Sequence, residues 1–401
     1  MGFGQGLSGL NAAAQNLDVI GNNIANSGTV GYKTGSATFA DVYANSRVGL
    51  GVQMTGVKQR FTTGNVALTG NMFDMAIDGE KGFFRVADTS GAVSYTRNGQ
   101  FFANKNGLIV NAQEQRLTGY IIDPVTGNVS TKLESLTVPR GDMAPQATTA
   151  MTTVANLDSN APSHSRQASG AKAFDPNDPS TYSNRQTSTV YDSLGNSHEL
   201  AQYFTRIEGG QWELRYALDG QVRGAVNNLS FDTSGRLTTT PTRLDINLGT
   251  PSGAAPLTVS IDYAGTTAFA KSFGAKHTVN GYAAGEYLGM SIAKDGTLLA
   301  NYSNGESKAS AILALADFNN VQGLQPVGGN AWVETSESGQ PVMGQPGSNG
   351  LATIKGQAVE ESNVDMSQEL VNMIIAQRTY QANAQTIKTQ DQVLQTLITM
   401  R

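Results

Sequence analysis

The chain has 401 residues, 45 of them glycine and none cysteine, with 15% charged residues and a formal net charge of −5. That length supports roughly two to four domains with cores of their own, and the lack of cysteine excludes disulfides, thiolate metal sites and cysteine nucleophiles. The acidic balance and scattered Lys and Arg exclude nucleic-acid binding by phosphate neutralisation and a basic membrane-binding face. No stretch has the apolar length of a membrane span, and Met1–Ala14 lacks the basic start and apolar core of a secretory signal.

Leu7, Leu10, Ala14, Leu17, Gly21 and Ile24 alternate three- and four-residue spacings, with Ala13 and Ile20 widening the stripe, which predicts an N-terminal helix whose apolar seam seeks a partner helix. Gly2, Gly4, Gly6 and Gly9, with Asn22, Asn23 and Asn26, weaken it in isolation, each Gly costing about 1 kcal/mol relative to Ala. Asn26-Ser27-Gly28 marks its end, with Gly28 placed for the left-handed residue. Residues 31–70 read as an extended linker with short strands, a strand pair of the following domain being the other reading.

Short alternating runs from Met75 to Tyr120, punctuated by Ser90-Gly91, Asn98-Gly99 and Asn106-Gly107, predict an antiparallel β-domain with tight hairpins. From Pro139 to Gly170 the composition is that of a linker. Thr189 to Leu218 alternates around a turn at Asp192–Asn196 and predicts a second all-β domain, sandwich or barrel, ending near Gly281. Glu286–Glu306 and Ala311–Phe318 return to the style of the first β-domain, so the middle one is an insertion. A Gly-rich stretch, 323–356, leads to the end of the chain.

There, Leu370, Met373, Gln377, Tyr380, Ala384, Ile387, Asp391, Leu394 and Ile398 form an uninterrupted heptad seam. Asp365 and Gln368 suit a reciprocal N-cap. Amides such as Asn372, Asn383, Gln385 and Gln392 outnumber charges off the seam, as suits a helix surrounded by other helices. Both ends are expected to be disordered in the free monomer and to order on self-association. The resulting fold class is α+β multidomain: paired, coiled-coil-like terminal helices plus two mainly antiparallel β-domains, the outer inserted into the inner. The expected domains are 1–30 with 360–401 (helical core), 31–70 with 319–359 (extended linker), 71–145 with 282–318 (inner β-domain) and 146–281 (outer β-domain).

Nothing in the sequence calls for an enzyme, a cofactor or a metal. His164, His198 and His277 stand apart from one another and from carboxylates at ligand spacing, and read as surface or strand-end residues. Asp175, Asn177 and Asp178 are interrupted by Pro176 and Pro179, so a solvated turn is a better reading than a calcium loop. No P-loop or G-x-S-x-G turn occurs. Trp212 and Trp332 read as core or strand-pair residues rather than sugar platforms.

Leu17–Asn26, carrying Asn22, Asn23 and Asn26, followed by Thr29, Gly31, Tyr32 and Lys33, resembles the N-terminal signature of the bacterial flagellar axial protein family of rod, hook and hook-associated proteins. Glu361, Asn363, Val364 and Asp365, then Glu369, Met373, Gln377, Arg378, Tyr380, Asn383 and Ile387–Asp391, resembles its C-terminal signature. With its length and large insert the chain most resembles the hook members. The resemblance implies a structural subunit that self-assembles into a curved, flexible tube, a universal joint transmitting torque from rod to filament. It also implies export through the type III apparatus without cleavage, an extracellular place in the flagellum, and rod, hook–filament junction and hook cap proteins as partners beside the homopolymer. The self-assembly residues are then the two seams, with Leu7, Leu10, Leu17 and Ile24 on the first. A distal-rod-like relative, or a secreted β-rich carbohydrate-binding or hydrolytic protein, are the rival readings.

Overall fold

The computed structural model describes residues 3–43, 49–123, 126–164, 172–251 and 253–399. The chain divides into two compact units, Met1–Arg140 with Gly289–Asn301 and Ser307–Arg401, and Gly141–Leu288 with Tyr302–Glu306.

In the first unit the N-terminal helix α1 (Phe3–Ala25) and the C-terminal helix α2 (Met366–Thr399) pack antiparallel. A Cβ added to Gly6 would lie 3.0 Å from Ile387, one added to Gly9 would lie 2.8 Å from Asn383, and Asn23 reaches Glu369. Only small residues permit that approach. At the start of α2 the Asp365 carboxylate accepts from Gln368 N at 3.1 Å, but the Gln368 amide bonds Asn372 instead of returning to Asp365, so the expected reciprocal cap is one-sided. Beyond α1 the left-handed residue is Gly31 (φ 73°) rather than Gly28.

Residues 31–70 contain paired strands. Strands β1 (Gly35–Val42) and β2 (Gly51–Gln59) form an antiparallel hairpin with a bulge between Thr38 and Phe39. It runs along α1, where Val52 N donates to Ser8 Oγ at 3.3 Å and Gln5 Nε2 to Gly49 O at 2.6 Å.

The main sheet of this unit joins Phe83–Ala87, Val93–Thr96, Arg116–Ile122 and Ser307–Leu313. Strands Gln325–Gly328 and Ala331–Val333 extend it, although they fall in the expected second linker. Trp332 sits in its aromatic core, ring centroids 5.8 Å from Phe83 and 5.4 Å from Phe61. Dense glycine hid these strands: Gly328 and Asn330 take positive φ (89° and 56°) in the turn that pairs them. Asn98-Gly99 is not the hairpin turn its sequence suggests. Gly99 is needed because Met75 passes so close that a Cβ would overlap its carbonyl oxygen, and Met75 N donates to Gly99 O at 2.9 Å.

The second unit is a sandwich of two sheets, ordered Arg243–Asn247, Thr258–Asp262, Ala150–Asn156, Gly274–Val279 and Asn184–Tyr191, Ser197–Arg206, Trp212–Leu218, Gln221–Leu229. One pair, Ala150–Asn156 with Thr258–Asp262, is parallel. Met151, Leu200, Phe204, Trp212, Leu214, Tyr216, Val259 and Ile261 fill the space between the sheets. Ala150–Asn156 lies in the stretch whose composition suggested a linker. Its buried face, Met151, Thr153 and Ala155, is too small and too rich in Thr to register as a hydrophobic run.

Phe204→Ala should cost the second unit about 3–5 kcal/mol by opening a cavity between the sheets. Urea unfolding followed by the fluorescence of buried Trp212 reads this loss; an unchanged midpoint would remove Phe204 from the core.

Candidate functional site

The two signature stretches meet in a buried polar clasp. Glu360, at the end of strand Ala358–Glu360, has no solvent-exposed side-chain surface, and neither have its two cationic partners. Lys33 Nζ donates to one carboxylate oxygen at 2.5 Å, and Arg97 donates to the other at 3.3 Å. Further bonds surround the trio: Gly64 N donates to Glu360 Oε1 at 2.9 Å, Lys33 to Thr62 O at 2.7 Å, and Arg97 to the carbonyls of Gly79 and Glu80, while Arg97 Nε stays buried without a partner. Gly31 N donates to Glu360 O at 2.8 Å, and a side chain on Gly31 would strike the Arg97–Asn98 backbone. Burial pulls the pKa of Lys33 down, and burial likewise lowers that of Arg97, with the Glu360 charge opposing both shifts.

A second layer consists of amides. Asn23, fully inside, accepts from Gly35 N at 2.9 Å and from Tyr32 OH at 3.1 Å, and donates to Gly35 O and to Glu369. Asn363 accepts from Thr34 N and Oγ1 at 2.8 and 2.7 Å and donates to Arg60 O at 2.7 Å. Asn363 thus acts as a strand edge for the N-terminal segment, and Asn23 does the same for Gly35 while reaching across to Glu369, because an amide carries donors and acceptors together. The clasp holds the chain ends in register.

Of the signature residues, Asn23, Gly31, Tyr32, Lys33 and Asn363 build the clasp. Asn22 and Asn26 bond each other at 2.7 Å at the end of α1, and Asp365 caps α2. Val364 is half-buried, Arg378 is exposed, and Asn383 faces Gly9. Glu360 escaped the sequence reading, although a charge closing the apolar run Ala358-Val359 was its signal. Arg97, within the β-rich run Met75 to Tyr120, carries no signal of its own in the sequence.

The helix seams require correction. On α1 the line meeting α2 is Gly6, Gly9, Ala13, Asn16, Ile20 and Asn23; Ala13 and Ile20, which widened the expected stripe, lie on it, whereas Leu7, Leu10, Ala14, Leu17, Gly21 and Ile24 lie one residue to the side. On α2 it runs through Glu369, Ala376, Asn383 and Ile387, so Leu370, Gln377 and Ala384 fall one residue outside it. Met373 is half-buried, while Tyr380, Leu394 and Ile398 are exposed. A hydrophobic pattern finds large residues, whereas this contact selects small ones.

Elsewhere, Asp178 caps the single turn Pro179–Thr181. His198, expected to lack a carboxylate neighbour, has two, Asp219 and Asp192. His164 N donates to Arg206 O, and the His277 ring lies 3.4 Å from Gln186 Nε2. Among the described residues no cluster of metal-ligating side chains occurs.

Glu360→Ala should cost the first unit about 3–5 kcal/mol, since it leaves two buried cations without a counter-charge. Chemical unfolding in a Trp212→Phe background, where Trp332 reports, checks this; a loss below about 1 kcal/mol, the scale of exposed pairs, would contradict the burial of the clasp.

Known proteins share this architecture. Residues 5–33 match the family described as Flagella basal body rod protein, and 76–153 the Flagellar hook protein FlgE/F/G D1 domain. Residues 156–282 match the Flagellar basal body protein FlaE D2 domain, and 355–400 the Flagellar basal body rod FlgEFG protein C-terminal family. The flagellar hook protein FlgE of Salmonella typhimurium is 42% identical over 416 residues, with 100% of both chains covered. That of Escherichia coli is 41% identical, again over 100% of both, and that of Brucella suis 31% identical over 99% of this chain and 98% of its own. The fold is similar to the crystal structure of Helicobacter pylori flagellar hook protein FlgE2, with TM-score 0.53 and 14% identity over 73% of this chain and 100% of that one. With both chain ends locked together by their signature residues and relatives of this identity along its whole length, the chain belongs to the flagellar hook protein FlgE family.

Proposed function

We propose that this structural subunit of the flagellar hook polymerises with itself through the outward faces of α1 and α2, forming the inner wall of a curved tube. The carrying observation is the set of large apolar side chains that intrachain packing leaves uncovered. Leu7, Val371, Ile374, Ile375 and Leu394 are exposed, with Leu370 at 42% and Ile398 at 75%. Patches of this kind mark interaction surfaces. Leu394 and Ile398 lie beyond the part of α2 that α1 accompanies, since Gly6 already faces Ile387. A contact between two different faces of one subunit, repeated without closing, builds a helical filament.

The tube then acts as a universal joint carrying torque from rod to filament. Bending under rotation requires rows of subunits to shorten and lengthen once per turn, which small polar contacts between outer β-units allow. Residues 31–70 and 319–359 include paired strands and the packed rings of Phe61 and Trp332, so the compliance is assigned to contacts between copies rather than to these stretches. Rod, junction and cap proteins, the type III export apparatus and an extracellular location follow from the same reading. A carbohydrate-binding alternative loses its aromatic platforms, because Trp212 and Trp332 are both buried. A straight rod-like tube remains the competing outcome.

Leu370→Asp and Leu394→Asp should each abolish polymerisation without changing the monomer's circular dichroism, because a charge would enter an apolar contact. Electron microscopy after a salting-out agent checks this: curved tubes from the parent chain alone support the reading, normal tubes from either variant exclude that face, and straight parent tubes favour a rod-like role.

A further inference from the structure

His198 lies at the start of strand Ser197–Arg206 in the second unit. In the second unit the chain enters along 141–148 and leaves along 280–288, and these segments bridge as a narrow ribbon, Met143 opposite Gly285 and Gln146 opposite Tyr282. The turn Asp192–Asn196 is seated on that ribbon. A Cβ on Gly195 would lie 2.7 Å from Pro145 and 3.4 Å from Ala284 N, and Tyr191 exchanges bonds with Thr148, N to Oγ1 and O to N, both at 2.9 Å.

The imidazole of His198 ties this turn to the next. Its Nδ1 lies 2.6 Å from Asp219 Oδ2 in the turn after Trp212–Leu218, and its Nε2 lies 3.3 Å from Asp192 Oδ2. Both partners are carboxylates that already accept other bonds, Asp192 from Leu194 N, Asn196 N and Asn196 Nδ2, and Asp219 from Glu199 N. Carboxylates only accept, so both ring nitrogens must donate, and only the imidazolium has two N–H groups. The other charged groups nearby are Arg223, lining the same cleft of about 400 Å³, and Glu199, which is held by Arg185 at 2.5 Å. The segment Leu248–Pro251 on the far wall brings no titratable group.

We propose that His198 is a proton-operated pin: as imidazolium it clamps the Asp192–Asn196 turn on the ribbon through which the outer unit is threaded, and as neutral imidazole it releases one carboxylate and loosens that seat. Partial burial alone would pull its pKa down, but the bonds to Asp219 and Asp192 outweigh burial and raise it. The clamp therefore contributes fully below the ordinary histidine value of about 6.5 and is lost as pH rises through the raised pKa. A loosening of the Asp192–Asn196 turn on its ribbon as pH rises through that raised pKa follows.

The test uses the full chain carrying His164→Gln and His277→Gln, so that one imidazole remains. Its titration is followed by NMR, and hydrogen exchange of the peptide spanning 192–196 is measured against the same sequence unfolded. A midpoint above about 6.5, with turn protection lost across it, is expected; Asp219→Asn should lower both midpoints together, and His198→Gln should give low protection at every pH. A midpoint at or below the ordinary value, or protection indifferent to the titration, would overturn the proposal.

Discussion

A carboxylate entirely out of water cannot stand alone, and Glu360 forces the rest of the first unit into place around it. Desolvating one charge costs several kcal/mol unless the geometry returns it. Here the return requires Lys33 from the N-terminal segment, Arg97 from the β-sheet and Glu360 from just before α2 to arrive together. The three positions are distant in sequence, so the cluster cannot form until the fold is nearly complete. Gly31, left-handed and bonded to Glu360 O, shows how tightly backbone follows charge at this point.

The clasp fixes the end of α1 against the start of α2, and small residues set how the two helices run together from there. Gly6, Gly9 and Ala13 let α1 settle against Ala376, Asn383 and Ile387, with Asn23 bonded to Glu369 at the clasp end. A contact made from such residues buries little apolar area, and area is what stabilises association. Among the described side chains of α2, Glu369 and Ala376 are the buried ones. The bulky residues Leu370, Val371, Ile374 and Ile375 are turned away from that contact and exposed.

The second unit has a different economy. Its two sheets enclose a core that is sufficient by itself, and within that core Gln202, Tyr263 and Tyr216 form a closed polar chain, Tyr263 OH donating to Gln202 Oε1 at 2.7 Å and lying 3.2 Å from Tyr216 OH. Burial raises the pKa of both tyrosines, so their hydroxyls stay protonated as donors. Such satisfied groups favour one arrangement of the sheets over others. A β-unit that is internally complete can meet its neighbours through polar surface alone, the condition for contacts that slide.

Sequence by itself determined the elements whose signal is local. The two long helices announced themselves by period, the turns at Asp192–Asn196 and Ser90-Gly91 by residue type, and the alternation Trp212, Leu214, Tyr216, Leu218 by a buried sheet face. Asn23, Lys33 and Asn363 could be marked as signature residues, but nothing along the chain says that they converge. Tertiary structure alone decided which side of each helix is inside, and it chose the line one residue from the hydrophobic one, because close approach rewards the absence of a side chain and a pattern of apolar residues cannot register an absence. It likewise decided that Phe61 packs on a core rather than lying in a linker, and that Asp192 and Asp219 meet around His198. Each of those contacts joins residues far apart in the chain, and such a distance is closed only by the fold.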